Sequence, residues 1–95
     1  MNLIIKNINF EKSDCLVNNI NNKIKKISFL CRNIIYCVIS MKIDKRYNHH
    51  FNTVSIKAFT SSNIFFVKKN YHNLYYGINK SLNSLKKQIQ KYKNL

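Results

Sequence analysis

Apolar and polar residues alternate along four segments of the chain, and this period of two is typical of half-buried strands. The strands are predicted at residues 1–9, 34–44, 53–58 and 64–68. The second strand, which we expect to be central, would present Ile35, Cys37, Ile39, Met41 and Ile43 to the core. Polar residues 45–50 predict a turn before the third strand, and the Ser-Ser-Asn run at 61–63 predicts a hairpin turn after it.

A helical period replaces this alternation in two other segments. In the first, Ser13 is suited to cap a helix and Asp14 falls in its first turn. The apolar residues that follow lie within about 100° on a helical wheel and are Leu16, Val17, Ile20, Ile24 and Ile27. The second helix is predicted over residues 73–95, with an apolar stripe of Leu74, Tyr75, Ile78, Leu82, Leu85, Ile89 and Tyr92.

The order of these elements predicts an α+β fold. It is a β-α-β-β-β-α two-layer sandwich, in which both helices pack on one face of a four-stranded, mostly antiparallel sheet. A chain of 95 residues can build one core but not two, so we expect a single domain over residues 1–95. The other face of the sheet is expected to be partly solvated.

The charge of the chain indicates an anionic partner. Lys and Arg number 17 against three acidic residues, for a net charge of +14. Self-repulsion of this size destabilises a compact state, whereas a polyanion converts the same charges into affinity. Membrane insertion is not expected, because the longest nearly apolar run, residues 34–41, is about half of the ~20 residues a spanning helix needs. Lys6 interrupts the apolar N-terminus that a secretory signal requires, so we expect a cytoplasmic protein.

The second predicted helix carries lysines opposite its apolar stripe. Lys80, Lys87 and Lys91 lie within about 40° on the wheel, and Lys86 and Lys93 widen the positive surface. A lysine face is about as often merely solvated as it is a binding site. This helix, however, contains no Asp or Glu, and like charges four residues apart cost ~0.2–0.5 kcal/mol. An anion that docks on the face explains it better.

Lysines of the first predicted helix could belong to the same surface. Lys23 and Lys26 flank its apolar stripe, and Lys25 points away from it. They would extend the lysine face of the second helix if the two helices lie side by side.

No catalytic or metal-binding motif accompanies these lysines. We interpret Cys15, Cys31 and Cys37 as small buried hydrophobic residues, because they form no C-x-x-C pair. No Cys or His pair has the spacing of a zinc site, and the acidic residues are too few for an acid and base pair. The single glycine excludes a phosphate-cradling loop. We therefore expect neither an enzyme nor a cofactor.

Aromatic residues in the third and fourth strands allow a second mode of RNA contact. Phe59, Phe65 and Phe66 would suit base stacking on an RNA-binding sheet, although packing is the favoured role. His72 precedes the last helix and could approach a phosphate, which is the less favoured interpretation.

Three runs of residues carry a family resemblance. The first helix contains Asp14-Cys15-Leu16, followed by Ile20, Lys23, Lys26 and Ile27. The second strand ends in the run Met-Lys-Ile-Asp-Lys at residues 41–45. The last helix contains Leu-Tyr-Tyr-Gly-Ile-Asn at residues 74–79 and Ser-Leu-Lys-Lys-Gln-Ile-Gln-Lys-Tyr-Lys at residues 84–93. Over essentially the whole chain these runs resemble the ribosome hibernation-promoting factor family, which includes the ribosome-associated inhibitor A proteins. Ser84 stands where the family usually has lysine, Asn79 replaces an acidic residue, and Gly77 replaces alanine.

The resemblance implies binding to the small ribosomal subunit, in the channel that mRNA and the anticodon ends of tRNA otherwise occupy, and inhibition of translation. It implies that phosphates of small-subunit rRNA are contacted by Lys23, Lys26, Lys80, Lys87, Lys91 and Lys93. The sequence ends directly after the second helix, as in short family members, which implies ribosome modulation factor as a separate partner wherever ribosomes pair. We expect the free protein to be a monomer.

Two alternatives remain at the level of the sequence. One is a generic basic RNA-binding module with the topology of a double-stranded-RNA-binding domain. The other is a protein that lies on a membrane surface through its amphipathic helix, although the domain needs that apolar stripe for its own core.

Overall fold

The computed structural model confirms the predicted order of strands and helices. It describes residues 2–8, 14–46 and 49–93. The elements are β1 (Asn2–Ile8), α1 (Asp14–Leu30), β2 (Ile34–Arg46), β3 (His49–Thr60), β4 (Ile64–Tyr71) and α2 (Leu74–Lys93). The fold is therefore α+β with β-α-β-β-β-α order, as expected.

The four strands form one mixed sheet in the order β1-β2-β3-β4. β1 and β2 are parallel and are joined through α1, while β3 runs antiparallel to both β2 and β4. β2 is central, as the sequence predicts. α2 packs on β3 and β4, and α1 lies against α2, so the two helices are neighbours.

One hydrophobic core joins the helices to one face of the sheet. Among the described residues, buried apolar side chains come from every element except β1 and include Ile20 of α1, Ile39 and Met41 of β2, Val54 and Ile56 of β3, Val67 of β4, and Ile78, Leu82, Leu85 and Ile89 of α2. Burial of each such aliphatic side chain stabilises the fold by about 1.5–3 kcal/mol. The predicted apolar stripes of both helices thus provide their contact with the sheet.

A β-bulge at the start of β2 reverses one predicted orientation. Alternation from Cys37 places Ile35 on the core face, but Ile35 is 55% exposed and Ile34 is buried instead. The register shifts between Ile34 and Tyr36, where two steps along β2 oppose a single step along β3. An extra residue of this kind changes the phase of the side chains by one position, which explains the error.

Three of the strands, β2, β3 and β4, are longer than the sequence pattern indicates. Residues 45–50 were expected to form a turn, but β2 continues to Arg46 and β3 begins at His49. β4 likewise runs to Tyr71 instead of ending at residue 68. Antiparallel pairing supplies these polar residues with hydrogen bonds that a single-strand pattern does not reveal.

The hairpin turn at residues 61–63 is confirmed. The Thr60 amide donates to the carbonyl of Asn63 at 2.9 Å, and the Asn63 amide donates to the Thr60 hydroxyl at 2.8 Å. The Thr60 side chain therefore closes the turn that joins β3 and β4.

Three further predicted core positions differ from expectation. Tyr75 and Tyr92, expected in the apolar stripe of α2, are 47% and 48% exposed, and they lie in the first and last turns of the helix. Cys15 is exposed in the first turn of α1, whereas Cys31 and Cys37 are buried as expected. The predicted cap Ser13 and the side chain of Ile43 lie outside the described residues.

Gly77 permits α2 to pass close to the end of β4. A Cβ atom at this position would lie 2.7 Å from Cδ2 and 2.8 Å from Cγ of Tyr71. The ring of Tyr71 also meets Tyr76 edge-on, with centroids 5.9 Å apart. Glycine at this position thus lowers the helix propensity of α2 but allows close packing between α2 and Tyr71.

We predict that Gly77→Ala destabilises the protein despite a helix-propensity gain of about 1 kcal/mol. The new methyl group meets Tyr71 near the root of its side chain, where the ring cannot swing away, and overpacking costs about 1–3 kcal/mol. Urea unfolding would measure the change. In a Tyr71→Ala background, which removes the two closest ring atoms and leaves only the Cβ atom at 3.0 Å, the same substitution should be clearly less destabilising, and an equal cost there would refute the steric explanation.

We predict that the three thiols differ sharply in reactivity. Burial raises the pKa of the Cys37 thiol to about 12, and the thiolate is the reactive form. With Ellman's reagent at pH 8 the folded protein should show one fast thiol, which Cys15→Ser removes and Cys37→Ser leaves. Because the folded pKa is raised, the contribution of the neutral Cys37 to stability is complete below about pH 8.5 and is lost as the pH rises towards 12. A fast phase that depends on Cys37 would contradict this burial.

Candidate nucleic-acid interface

A cap fixes the start of the helix that carries most of the lysines. The side-chain oxygen of Asn73 accepts a hydrogen bond from the amide of Tyr76 at 3.0 Å, and its carbonyl accepts one from the amide of Gly77 at 2.9 Å. Asparagine is among the preferred N-cap residues because its oxygen satisfies an otherwise unpaired amide. The cap and the buried stripe together fix the rotation of α2.

This rotation directs the lysines of α2 to solvent. Lys80, Lys86, Lys87 and Lys91 are all exposed, on a helix whose opposite side is buried and which has no acidic residue. Lys93 is the last residue of α2, and its side chain lies outside the described part of the chain. Four of the lysines that were predicted to form this face are thus exposed on one side of α2.

The structure brings lysines of both helices to one groove. A cavity of about 200 Å³ lies between α1 and α2. Its lining comprises Lys23, Lys26 and Ile27 from α1 and Leu82, Asn83 and Lys86 from α2. The side-by-side arrangement that would join the two sets of lysines is therefore present.

A second cavity continues this surface around α2. It measures about 270 Å³ and is lined by Lys80, Asn83, Ser84, Lys86, Lys87 and Gln90. Asn83 and Lys86 border both cavities. Lys91 lies one helical turn beyond Lys87 and is also exposed. We call the lysines of the two cavities together with Lys91 the basic helix surface, defined by Lys23, Lys26, Lys80, Lys86, Lys87 and Lys91.

An aromatic ring supports one of these lysines. The ammonium group of Lys80 lies 5.4 Å from the centre of the Tyr76 ring, within the range of a cation–π contact. Tyr76 is in turn held edge-on by Tyr71 at the end of β4. The charge of Lys80 is therefore positioned by a chain of contacts that begins in the sheet.

Lys86 has a larger place in this surface than the sequence suggests. A helical wheel puts it on the flank of α2, and the pattern alone does not reveal on which flank α1 lies. The structure shows that α1 lies on that flank, which places Lys86 between the two groups of lysines. The feature of the sequence that could have indicated this place for Lys86 is the position of Lys23 and Lys26 beside the apolar stripe of α1.

The basic helix surface has the chemistry of a phosphate-binding site. Lysine ammonium groups are mobile point charges that bind phosphate without strict geometry, and the amides of Asn83 and Gln90 add hydrogen-bond donors. Among the described residues of α1 and α2, Asp14 is the only acidic side chain, and it lies in the first turn of α1. The charged side chains that line the two cavities are therefore all positive.

Other candidate chemistry finds less support. No group of three or more His, Cys, Asp or Glu residues suited to a metal ion occurs in the described part of the chain. The side chains of His49 and His50 lie outside that part. His72 is exposed just before the cap of α2, and its carbonyl accepts a hydrogen bond from the side-chain amide of Asn52 at 2.8 Å.

The helices also bear on the membrane alternative. Within residues 2–8, 14–46 and 49–93, neither helix has the length and apolar character needed to span a membrane.

The fold defines a class of small α+β domains that recurs in solved structures. A ribosomal subunit interface protein from Coxiella burnetii superposes with a TM-score of 0.86 at 17% identity, and the match covers 100% of both chains. The N-terminal domain of Thermus thermophilus Protein Y superposes with a TM-score of 0.79 at 14% identity, covering 97% of this chain and 99% of that one. At these identities the likeness establishes the fold alone. No curated protein matches the chain significantly in sequence.

A family model provides the assignment that the structural likeness does not. The model described as Sigma 54 modulation protein / S30EA ribosomal protein matches residues 3–94. The chain therefore belongs to this family, and the resemblance to hibernation-promoting factors is confirmed at family level. The family is one of ribosome-associated factors.

Proposed function

We propose that this protein is a ribosome hibernation factor that binds the small ribosomal subunit and inhibits translation. The observation that carries the proposal is the basic helix surface, in which lysines of α1 and α2 surround one groove without an acidic residue among them. Membership of a ribosome-associated family supports rRNA as the polyanion.

The expected contacts are with the rRNA backbone. Lys23, Lys26, Lys80, Lys87 and Lys91 would bind phosphates, joined by Lys86, which borders both cavities. Lys93 is proposed as a further contact at the end of α2. Structured RNA offers its phosphates and 2′-hydroxyls more readily than its base edges, so recognition would depend on shape.

The proposed binding site is the channel of the small subunit that mRNA and the anticodon ends of tRNA occupy. A folded domain held there by backbone contacts would exclude both ligands, which accounts for inhibition without any catalytic step. We propose a cytoplasmic, non-enzymatic protein that is monomeric when free. Ribosome modulation factor is the proposed partner wherever ribosomes pair.

We predict that Lys87→Glu/Lys91→Glu abolishes co-sedimentation with small subunits and relieves inhibition of translation. Both side chains are exposed, so the fold should persist, as judged by an unchanged unfolding transition. The loss of two phosphate contacts should also reduce the slope of log affinity against log salt by about 1.5 in any residual binding.

The matched control is Lys25→Glu/Lys69→Glu. This pair changes the charge by the same amount at exposed positions of α1 and β4 that lie outside the basic helix surface. It should retain most of the binding. Equal losses from the two pairs would show that net charge matters and position does not, which would favour the generic RNA-binding module.

We predict that Ser84→Lys strengthens subunit binding. Ser84 lines the cavity that contains Lys80 and Lys87, at a position where hibernation factors usually have lysine. One additional phosphate contact should steepen the salt dependence by about 0.7–0.9 in log–log slope. Titrations with labelled protein at several salt concentrations would measure this. An unchanged slope would place this part of α2 outside the rRNA contact.

A further inference from the structure

The side of the sheet turned away from the helices carries a set of features that the proposed function does not use. We call it the uncovered sheet face, defined by Tyr36, Lys57, Phe59, Ile64, Phe66 and Lys68. Alternation along the strands places these residues opposite the buried ones, such as Cys37, Ala58 and Val67. Ile64 and Phe66 are 57% and 46% exposed, so apolar surface is open to solvent here.

Aromatic side chains are aligned across this face by the strand register. Tyr36 of β2 pairs with Phe59 of β3, and their rings stack with centroids 4.2 Å apart and planes within 14°. Phe66 of β4 is a diagonal neighbour of Phe59, because Phe59 pairs with Ile64. Diagonal neighbours in a sheet lie about 7–8 Å apart, within reach of aromatic side chains. The three rings thus occupy neighbouring positions on adjacent strands, and we call this group of rings the platform.

Positive charge accompanies the rings. The ammonium group of Lys57 lies 5.5 Å from the centre of the Phe66 ring, directly across the β3–β4 pair. Lys68 follows on β4, and Lys6 extends the charge on β1 in the row that links it with Ser40, Ser55 and Lys68. No described side chain on this face is acidic. A ligand that offers both flat rings and negative charges therefore matches the platform.

The turn between β3 and β4 adds hydrogen-bonding groups at the edge of the platform. A cavity of about 510 Å³ opens there, bounded by Phe59, Ile64 and the polar turn residues 60–63. Ser61 and Ser62 are exposed and line this cavity. Such groups are suited to the polar edges of an unpaired base.

We propose that the uncovered sheet face is a second nucleic-acid-binding surface, which binds single-stranded RNA by stacking bases on Tyr36, Phe59 and Phe66 and by pairing phosphates with Lys57 and Lys68. Duplex RNA keeps its bases inside the helix and offers nothing to stack, so the ligand is single-stranded. A second copy of this chain is disfavoured as an occupant because each copy carries a net charge of +14. This inference goes beyond the proposed function, because the platform lies on the side of the sheet opposite the basic helix surface.

The first test is binding of fluorescein-labelled octauridylate to the full chain, measured by anisotropy. Phe66→Ala should weaken binding roughly five- to 150-fold, the range found for the loss of one stacked base. Phe66→Tyr, which keeps a ring, should restore most of it. The matched control is Phe29→Ala, which removes a phenylalanine that is 75% exposed on α1, and binding should be unchanged. Equal effects of Phe66→Ala and Phe29→Ala would overturn the proposal.

The second test reports on stacking directly and separates the two surfaces. The protein has no tryptophan, so Phe66→Trp introduces a single tryptophan, which can be excited apart from the six tyrosines and which stacked bases should quench. Quenching should persist when Lys87→Glu/Lys91→Glu is added, and it should be absent with a blunt RNA duplex or with Phe29→Trp.

Loss of the quenching on charge reversal of α2 would refute a separate surface. A dimer detected by light scattering and dissolved by Phe66→Ala would likewise refute RNA as the occupant. Neither result depends on whether the protein binds ribosomes, so failure of this proposal is distinguishable from failure of the proposed function.

Discussion

The burial of the apolar stripe of α2 against β3 and β4 determines the rest of the molecule. Ile78, Leu85 and Ile89 are fully buried, which fixes the rotation of the helix, and the Asn73 cap fixes its start. Once the stripe faces the sheet, the lysines on the other side of α2 have no position except solvent. α1 obeys the same constraint through Ile20 and Ile24, so both helices present their basic flanks outward, and neighbouring placement merges those flanks into one surface.

Repulsion between the lysines of this surface opposes the packing of the two helices. Lysines of two adjacent helices line a common groove, and no acidic residue of α2 relieves their repulsion. Aliphatic burial, at about 1.5–3 kcal/mol for each side chain, outweighs like-charge contacts that cost a few tenths of a kcal/mol each in water. The hydrophobic core thus holds in place a positive field that would otherwise push the helices apart, and a polyanion that docks there gains that field without reorganising the protein.

Sequence patterns correctly predicted the features that depend on a single strand or helix. They failed where a feature depends on how two elements pair or pack. The period of two placed Cys37, Ile39 and Met41 correctly, because alternation is a property of the strand itself. It misplaced Ile35, because a bulge depends on how β2 pairs with β3. The helical wheel likewise identified the exposed lysines of α2, but the importance of Lys86 depends on which flank α1 occupies. The role of Gly77 likewise depends on a second element, because it lies beside Tyr71 of β4.

Because both helices pack on one face of the sheet and form the basic helix surface there, they leave the other face of the sheet uncovered. Two helices suffice to bury one face of a four-stranded sheet, so Phe66 and Ile64 stay in contact with water. A monomeric domain normally limits such exposure by placing polar residues on its outer face. Here rings and lysines share that face instead, with Lys57 beside Phe66 at 5.5 Å. A basic surface on the helices and an aromatic surface on the sheet point in opposite directions, so a domain of this shape could contact structured RNA on one side and an unpaired strand on the other.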